Sequence, residues 1–252
     1  MFVRTVIAAA LAATFALPVL AADSKGTVVV VGAGRSGTPL TKILLDEGYK
    51  VRVMVRDPSK VTDLPAAAQK VQGDVTKPDT LPAALKGADY VISTIGSTGD
   101  ALPEDVDFKG VANLAKASKA ANVKQIVLMS STSAGDTNPE TFLNKRRSMV
   151  LMWKGKGEEA VRESGVPYTV VRPGGLGECD PGKAGLKVAN PEGLVGERSC
   201  RSDIGLVMAA SLNNKDALGK TIGVVTDPKA QPGAWKADIA KVKKDNGKPV
   251  GP

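Results

Sequence analysis

Gly32, Gly34 and Gly37 stand in a G-x-G-x-x-G spacing, with Arg35 and Ser36 between the second and third. The segment VVVVGAGRSG sets this loop directly behind a β-branched run and ahead of an amphipathic stretch. A loop of this kind serves phosphate chemistry. Gly32 permits the tight bend, Gly34 lets a pyrophosphate approach the backbone, and Gly37 lets the following helix pack close to the sheet. Free N–H groups and the positive end of the helix dipole then face the phosphates. In its strand–turn–helix setting the spacing predicts dinucleotide binding at Gly32, Gly34, Arg35, Ser36 and Gly37. The next apolar run ends in Arg56 and Asp57, with Lys60 just beyond. An acidic residue there accepts from the ribose 2′-OH of NAD, whereas arginine forks match the 2′-phosphate of NADP. Arg35 and Arg56 favour NADP, and Asp57 leaves NAD open.

Other chemistries are excluded by what the chain lacks. It has no histidine, so a histidine base, a Ser-His-Asp triad and histidine-ligated metals are ruled out. Its two cysteines, Cys179 and Cys200, are too few for a zinc cluster, and no metal is expected. They are read as two unpaired thiols, with pairing the alternative in an oxidising compartment. The net charge of +8 comes from scattered rather than blocked basic residues, and only 4% of residues are aromatic. That argues against nucleic acid as a partner and for attraction of small anions.

The elements around the loop form a repeating pattern. Strands are expected over 27–32, 50–57, 70–75, 89–96, 124–131, 167–175 and 220–227, and helices over 35–49, 80–88, 106–123 and 146–164. Alternation of buried strands with amphipathic helices predicts a single-domain α/β fold, a doubly wound parallel sheet of the Rossmann type. Residues 1–21 read as a secretory signal, with Arg4 ahead of an apolar run and Val19 and Ala21 at the cleavage positions. Export is therefore expected, with an organelle address or an N-terminal anchor as alternatives, and no membrane span is expected once the signal is removed. Residues 22–227 form the nucleotide-binding domain. Residues 228–252 are read as a surface helix and a loose tail.

The chain resembles the atypical short-chain dehydrogenase/reductases, in the NmrA-like branch. The resemblance rests on VVGAGRSG, VRVMVRD, GDV (73–75), ADYVISTIGS (88–97), IVLMSSTSAG (126–135), WKGKGEEAVRESGVPYTVVRPGGL (153–176) and CRSDIG (200–205). It implies that Asp74 and Val75 border the adenine and that Thr94, Ile95 and Gly96 line the cofactor. It implies that Ser130, Ser131 and Thr132 lie beside the nicotinamide, that Lys154 holds the nicotinamide ribose, and that Pro173, Gly174 and Gly175 turn toward the ring. Arg201 and Asp203 match a helix-start motif with a structural role. One departure is plain: the position where the wider family has a tyrosine acid, four residues before the lysine, is Val150.

These residues carry an expectation of an NADP-dependent oxidoreductase on a small substrate of unknown identity. Lys154, Ser131 and Thr132 are its catalytic candidates. The alternative is a regulator or assembly factor that senses NADP(H) without turnover, which the missing tyrosine would suit. Two local readings remain open. Lys154 and Glu158 have the spacing of a surface i,i+4 ion pair. Arg172 is read as a structural partner of an acid rather than a ligand contact, and Tyr90 and Tyr168 as strand residues.

Overall fold

A computed structural model describes residues 24–247; the signal sequence read at 1–21 lies outside them. Its centre is an eight-stranded sheet in the order β3-β2-β1-β4-β5-β6-β10-β8. The strands are β1 (Thr27–Val31), β2 (Lys50–Val55), β3 (Gln69–Gln72), β4 (Tyr90–Ser93), β5 (Gln125–Met129), β6 (Tyr168–Pro173), β8 (Leu186–Ala189) and β10 (Lys220–Thr226). All pair in parallel except β8, which runs antiparallel to β10. A short pair, β7 (Gly175–Gly177) with β9 (Arg198–Cys200), stands apart.

The run TVVVV of β1 shows why the sheet is covered on both sides. Val28 and Val30 point into one apolar cluster, with Leu40, Leu44, Ile204, Val207 and Met208. Val29 and Val31 point into the other, with Leu81, Leu85, Val111, Leu114 and Val161. The first cluster carries α1 (Gly37–Asp46) and α6 (Arg201–Ser211); the second carries α2 (Leu81–Leu85), α3 (Val111–Ala120) and α5 (Val150–Glu163). Each such valine, at most 2% exposed, contributes about 1.5–3 kcal/mol by leaving water. The doubly wound expectation therefore holds, with helices on both faces.

Several details differ from the sequence reading. The antiparallel edge β8 falls inside 177–199 and the pair β7–β9 at its two ends, a stretch rich in Gly, Pro and charge that shows no strand periodicity. Helix α3 is preceded by a π-helix, Glu104–Gly110, so the expected start at 106 is not an ordinary helix start. A five-residue helix, α4 (Phe142–Arg146), precedes α5, and Ser148 and Met149 between them are left-handed at φ +44° and +62°. The C-terminal helix shrinks to a 3-10 turn, Ala234–Ala237, and α7 (Asp238–Lys241). This segment is less loose than expected, because Trp235, Ile239 and Val242 are buried in the first cluster. Cys179 and Cys200 are joined in a disulfide, with Cα atoms 5.6 Å apart. The reading of two free thiols is overturned: the β7–β9 pairing brings the two segments within bridging distance, a contact that spacing alone cannot reveal.

Candidate active site

The chain winds away from β1 in opposite directions, to β2 on one side and β4 on the other. Ligands of open α/β sheets bind where such a reversal leaves a crevice at the carboxyl ends of the strands. A cleft of about 970 Å³ lies there, walled by the glycine loop, the ends of β2, β4 and β5, and the start of α5. A cavity of about 570 Å³ lies at the opposite, amino ends of the strands.

The glycine loop has the geometry that phosphate binding needs. Gly32 sits at φ +103°. A Cβ on Gly37 would overlap the Gly32 carbonyl, so α1 starts hard against the strand. A Cβ on Gly34 would meet nothing within 4 Å, so this backbone faces open cleft. Arg35 and Ser36 also line the cleft, as do Arg56, Asp74, Val75, Thr94, Ile95 and Gly96. Asp57 lines it too, but its carboxylate is engaged locally. It accepts from the Ser59 N–H at 3.0 Å and the Ser59 hydroxyl at 2.6 Å, and these bonds hold it below the usual carboxylate range.

Lys154 lies on the first turns of α5, facing the cleft, while Lys156 faces solvent. Its Nζ is 2.7 Å from Asp107 Oδ1, on the π-helix. Glycine at 157 allows this: a Cβ there would strike the Asp107 carbonyl, so α5 can ride directly over the π-helix. Burial pushes the Asp107 carboxyl up, but Lys154 and the Ser97 N–H outweigh it and hold the group below its ordinary value. The Ser97 N–H donates to Asp107 Oδ2 at 3.0 Å, and the Arg147 guanidinium donates to the Ser97 carbonyl. Lys154, Asp107, Ser97 and Arg147 thus form one polar wall.

The surface pair Lys154–Glu158 does not exist. Glu158 is fully buried one turn further along the same side of α5, where Arg172 grips it through two bonds of 2.9 and 2.8 Å and Arg162 adds a third at 2.7 Å. Arg172 is structural, as read. Tyr90 is buried in β4, and the Tyr168 hydroxyl donates to Asp245 at 3.0 Å; burial and Asp245 push it up to about 12.

Of the three hydroxyls after β5, only Ser130 lines the cleft. Its Oγ is buried and has no hydrogen-bond partner among the described residues. Ser131 and Thr132, the expected catalytic pair, do not line it. The chain turns away at this point: Ser131 Oγ accepts from the Ser133 N–H, and the Thr132 N–H is tied to the Pro173 carbonyl. Pro173, Gly174 and Gly175 do not line it either. Gly174 is pressed against the Glu197 backbone and bonded to Ser199, which leaves Leu176 as the cleft residue of that turn.

This fold has its counterpart among known proteins. Residues 32–215 match the family model described as NAD(P)H-binding. The chain belongs to the NAD(P)H-binding family. It has a reductase-like Rossmann fold. An uncharacterized chloroplastic protein of Arabidopsis thaliana is 30% identical over 229 residues, 80% of this chain and 70% of its own. Sanguinarine reductase of Eschscholzia californica is 29% identical over 253 residues, 82% of this chain and 92% of its own. Among solved structures, an oxidoreductase from Lactococcus lactis superposes with a TM-score of 0.72 at 21% identity, covering 85% of this chain and 95% of that one.

Within this NAD(P)H-binding chain, sequence reasoning missed Asp107, Arg147 and the cleft role of Arg201. Asp107 falls in a stretch read as ordinary helix; a lone acid amid its buried positions was the available signal. Arg147 follows a helix too short to show periodicity. Arg201 reaches from the start of α6 to the glycine loop, donating to Ser36 Oγ at 3.1 Å and pairing with Glu178 at 2.9 Å. Asp203, in the first turn of α6, is buried and accepts from the Gly182 N–H at 2.6 Å. Among the described residues no helix is long and apolar enough to cross a membrane.

Proposed function

We propose that the protein is an NADPH-dependent oxidoreductase acting on a small organic acceptor. The carrying observation is the Lys154–Asp107 pair beside Gly96, sharing the cleft with a Ser130 hydroxyl that has no partner among the described residues. An unpaired buried hydroxyl costs about 1–3 kcal/mol, and a bound ligand would satisfy it. A nicotinamide cofactor held here supplies the hydride, so the protein needs no nucleophile. Lys154, fixed by Asp107, keeps donors free for a ribose hydroxyl. Ser130 donates to the acceptor oxygen. Arg147, with no carboxylate partner among the described residues, stabilises negative charge developing on that oxygen. The acceptor takes one proton with each hydride, and with Val150 in the cleft Ser130 or water delivers it.

NADP is favoured over NAD because Asp57 is spent on Ser59 and Lys60, while Arg56 has no such engagement at the same strand end. Export is the favoured destination: residues 1–21 have signal character, and the Cys179–Cys200 bridge suits an oxidising compartment. The chloroplastic Arabidopsis relative keeps an organelle address as the alternative. Stopped-flow oxidation of NADPH against quinones, aldehydes and flavins tests the reading. Turnover with at least one acceptor, lost in Lys154→Met, is expected. Tight NADPH binding without turnover on any of them would replace the enzyme by a nucleotide sensor.

A further inference from the structure

The cavity at the amino ends of the strands has no task in the chemistry above. Its lining includes Lys50, Arg52, Gln69, Tyr49 and Lys86 and, among the described residues, contains no carboxylate. None of the three cations has an acidic partner among the described residues. A fourth, Lys25, lies over the Tyr49 ring at 5.6 Å. Arg52 is the informative member. It stands in the middle of β2, opposite Val29 and Gln69, and its Nε is buried without a hydrogen-bond acceptor among the described residues. A buried N–H without a partner is rare in folded proteins and marks a missing acceptor. Burial also pushes the guanidinium below its ordinary value, yet a guanidinium remains charged at neutral pH.

Nearby acids do not fill the gap. Asp89 accepts the Thr27 N–H at 2.8 Å and pairs with Lys124 at 2.7 Å. Glu47 acts on Tyr49, whose hydroxyl is pushed up by burial first and by Glu47 second, but it does not line the cavity.

We infer that this cavity is a second anion site, built for a small multivalent acid of the phosphate-ester or dicarboxylate class. One acid group meets the Arg52 fork, as planar guanidinium geometry suits, and the other charges meet Lys50 and Lys86 at the mouth. A volume of about 570 Å³ accommodates such a molecule and is small for a dinucleotide. The site opens at the end of the sheet opposite the glycine loop, so it can be filled together with the cofactor cleft.

The test is calorimetric titration of the full chain with pyrophosphate and, separately, with succinate. Because the glycine loop also takes phosphate, each titration is run without nucleotide and with NADP⁺ in excess. Saturable binding of one probe that persists with NADP⁺ present is expected, and which probe binds assigns the acid class. Arg52→Met should weaken it about tenfold or more, the loss of a charge-assisted contact. Lys86→Ala, at an exposed position, should weaken it several-fold with no folding risk. Arg56→Met, in the cofactor cleft, should leave it intact. The inference is overturned if neither probe binds at millimolar concentration, if binding vanishes in the presence of NADP⁺, or if Arg52→Met and Lys86→Ala bind as tightly as the parent. Failure of the parent to bind NADP⁺ would strike the proposed function and leave this site standing.

Discussion

Lys154 and Asp107 meet at 2.7 Å, the lysine 19% exposed and the aspartate 1% exposed. The lysine thus enters the cofactor cleft already oriented, on a helix held close by Gly157. Removing the carboxylate while keeping its shape tests that positioning role. Asp107→Asn should lower kcat/KM for NADPH about ten- to a hundredfold, with a raised KM, because a group 1 Å out of place loses that much. An unchanged KM would mean that Lys154 is positioned by something other than Asp107.

The same pair sets an acid limit. The Asp107 carboxyl lies below its ordinary value of 3.8 in the folded chain. A depressed carboxylate contributes stability that is fully present above the unfolded value and is lost as pH falls through the folded one. The stability gap between the parent and Asp107→Asn should therefore be constant from pH 7 to about 5 and shrink below about pH 4. Urea melts across that range measure it. A gap that widened in acid would reverse the sign and remove Lys154 as the dominant partner.

Much of this site was legible in the sequence, and the boundary has physical causes. Contacts made by backbone close to the motif were readable: Gly32, Gly34 and Gly37 act through their own turn, and β-branched runs reveal buried strands whatever packs on them. Contacts made across the fold were not. Glu158 has helical spacing from Lys154 and shares its side of the helix, yet each is taken by a partner from elsewhere in the fold, Lys154 by Asp107 and Glu158 by Arg172. Ser130, Ser131 and Thr132 are chemically alike in sequence. Only the turn after β5 decides that the first faces the cleft. The bridge between Cys179 and Cys200 depends on strand pairing in a segment without periodicity.

The proposed preference for NADP rests on the end of β2. Arg56→Ala should weaken NADPH about tenfold and NADH less than twofold, since only the former carries a phosphate to pair with a guanidinium. Fluorescence titration with both nucleotides reads the difference. Equal loss for both would return Arg56 to the general positive field, and the specificity argument would pass to Arg35 or Lys60.

The disulfide closes a loop with a sequence separation of 21 residues. A loop of that length is worth about 3 kcal/mol of stability. Cys179→Ser and Cys200→Ser should each lower the melting temperature by several degrees. Dithiothreitol should do the same to the parent and nothing further to the variants. Cys200 adjoins Arg201, which bonds Ser36 of the glycine loop, so the loss should also raise the KM for NADPH. A melting temperature indifferent to reductant would show that the protein in solution carries free thiols.

Glu158 separates the structural half of α5 from its chemical half. It is fully buried between Arg172 and Arg162, which are 1% and 8% exposed. Glu158→Gln removes the charge that Arg172 and Arg162 both grip, and breaking a buried ion pair in this way costs about 3–5 kcal/mol. Arg162 retains Asp245 at 3.2 Å, so the cost should sit toward the lower end. The cleft lies one turn nearer the start of the helix, where Lys154 is held independently by Asp107. The fraction that stays folded should therefore bind NADPH within about twofold of the parent. Chemical denaturation and nucleotide titration on the same sample separate the two effects. A sharp loss of NADPH affinity with little loss of stability would instead mean that Glu158 acts through Lys154, the coupling that their four-residue spacing first suggested.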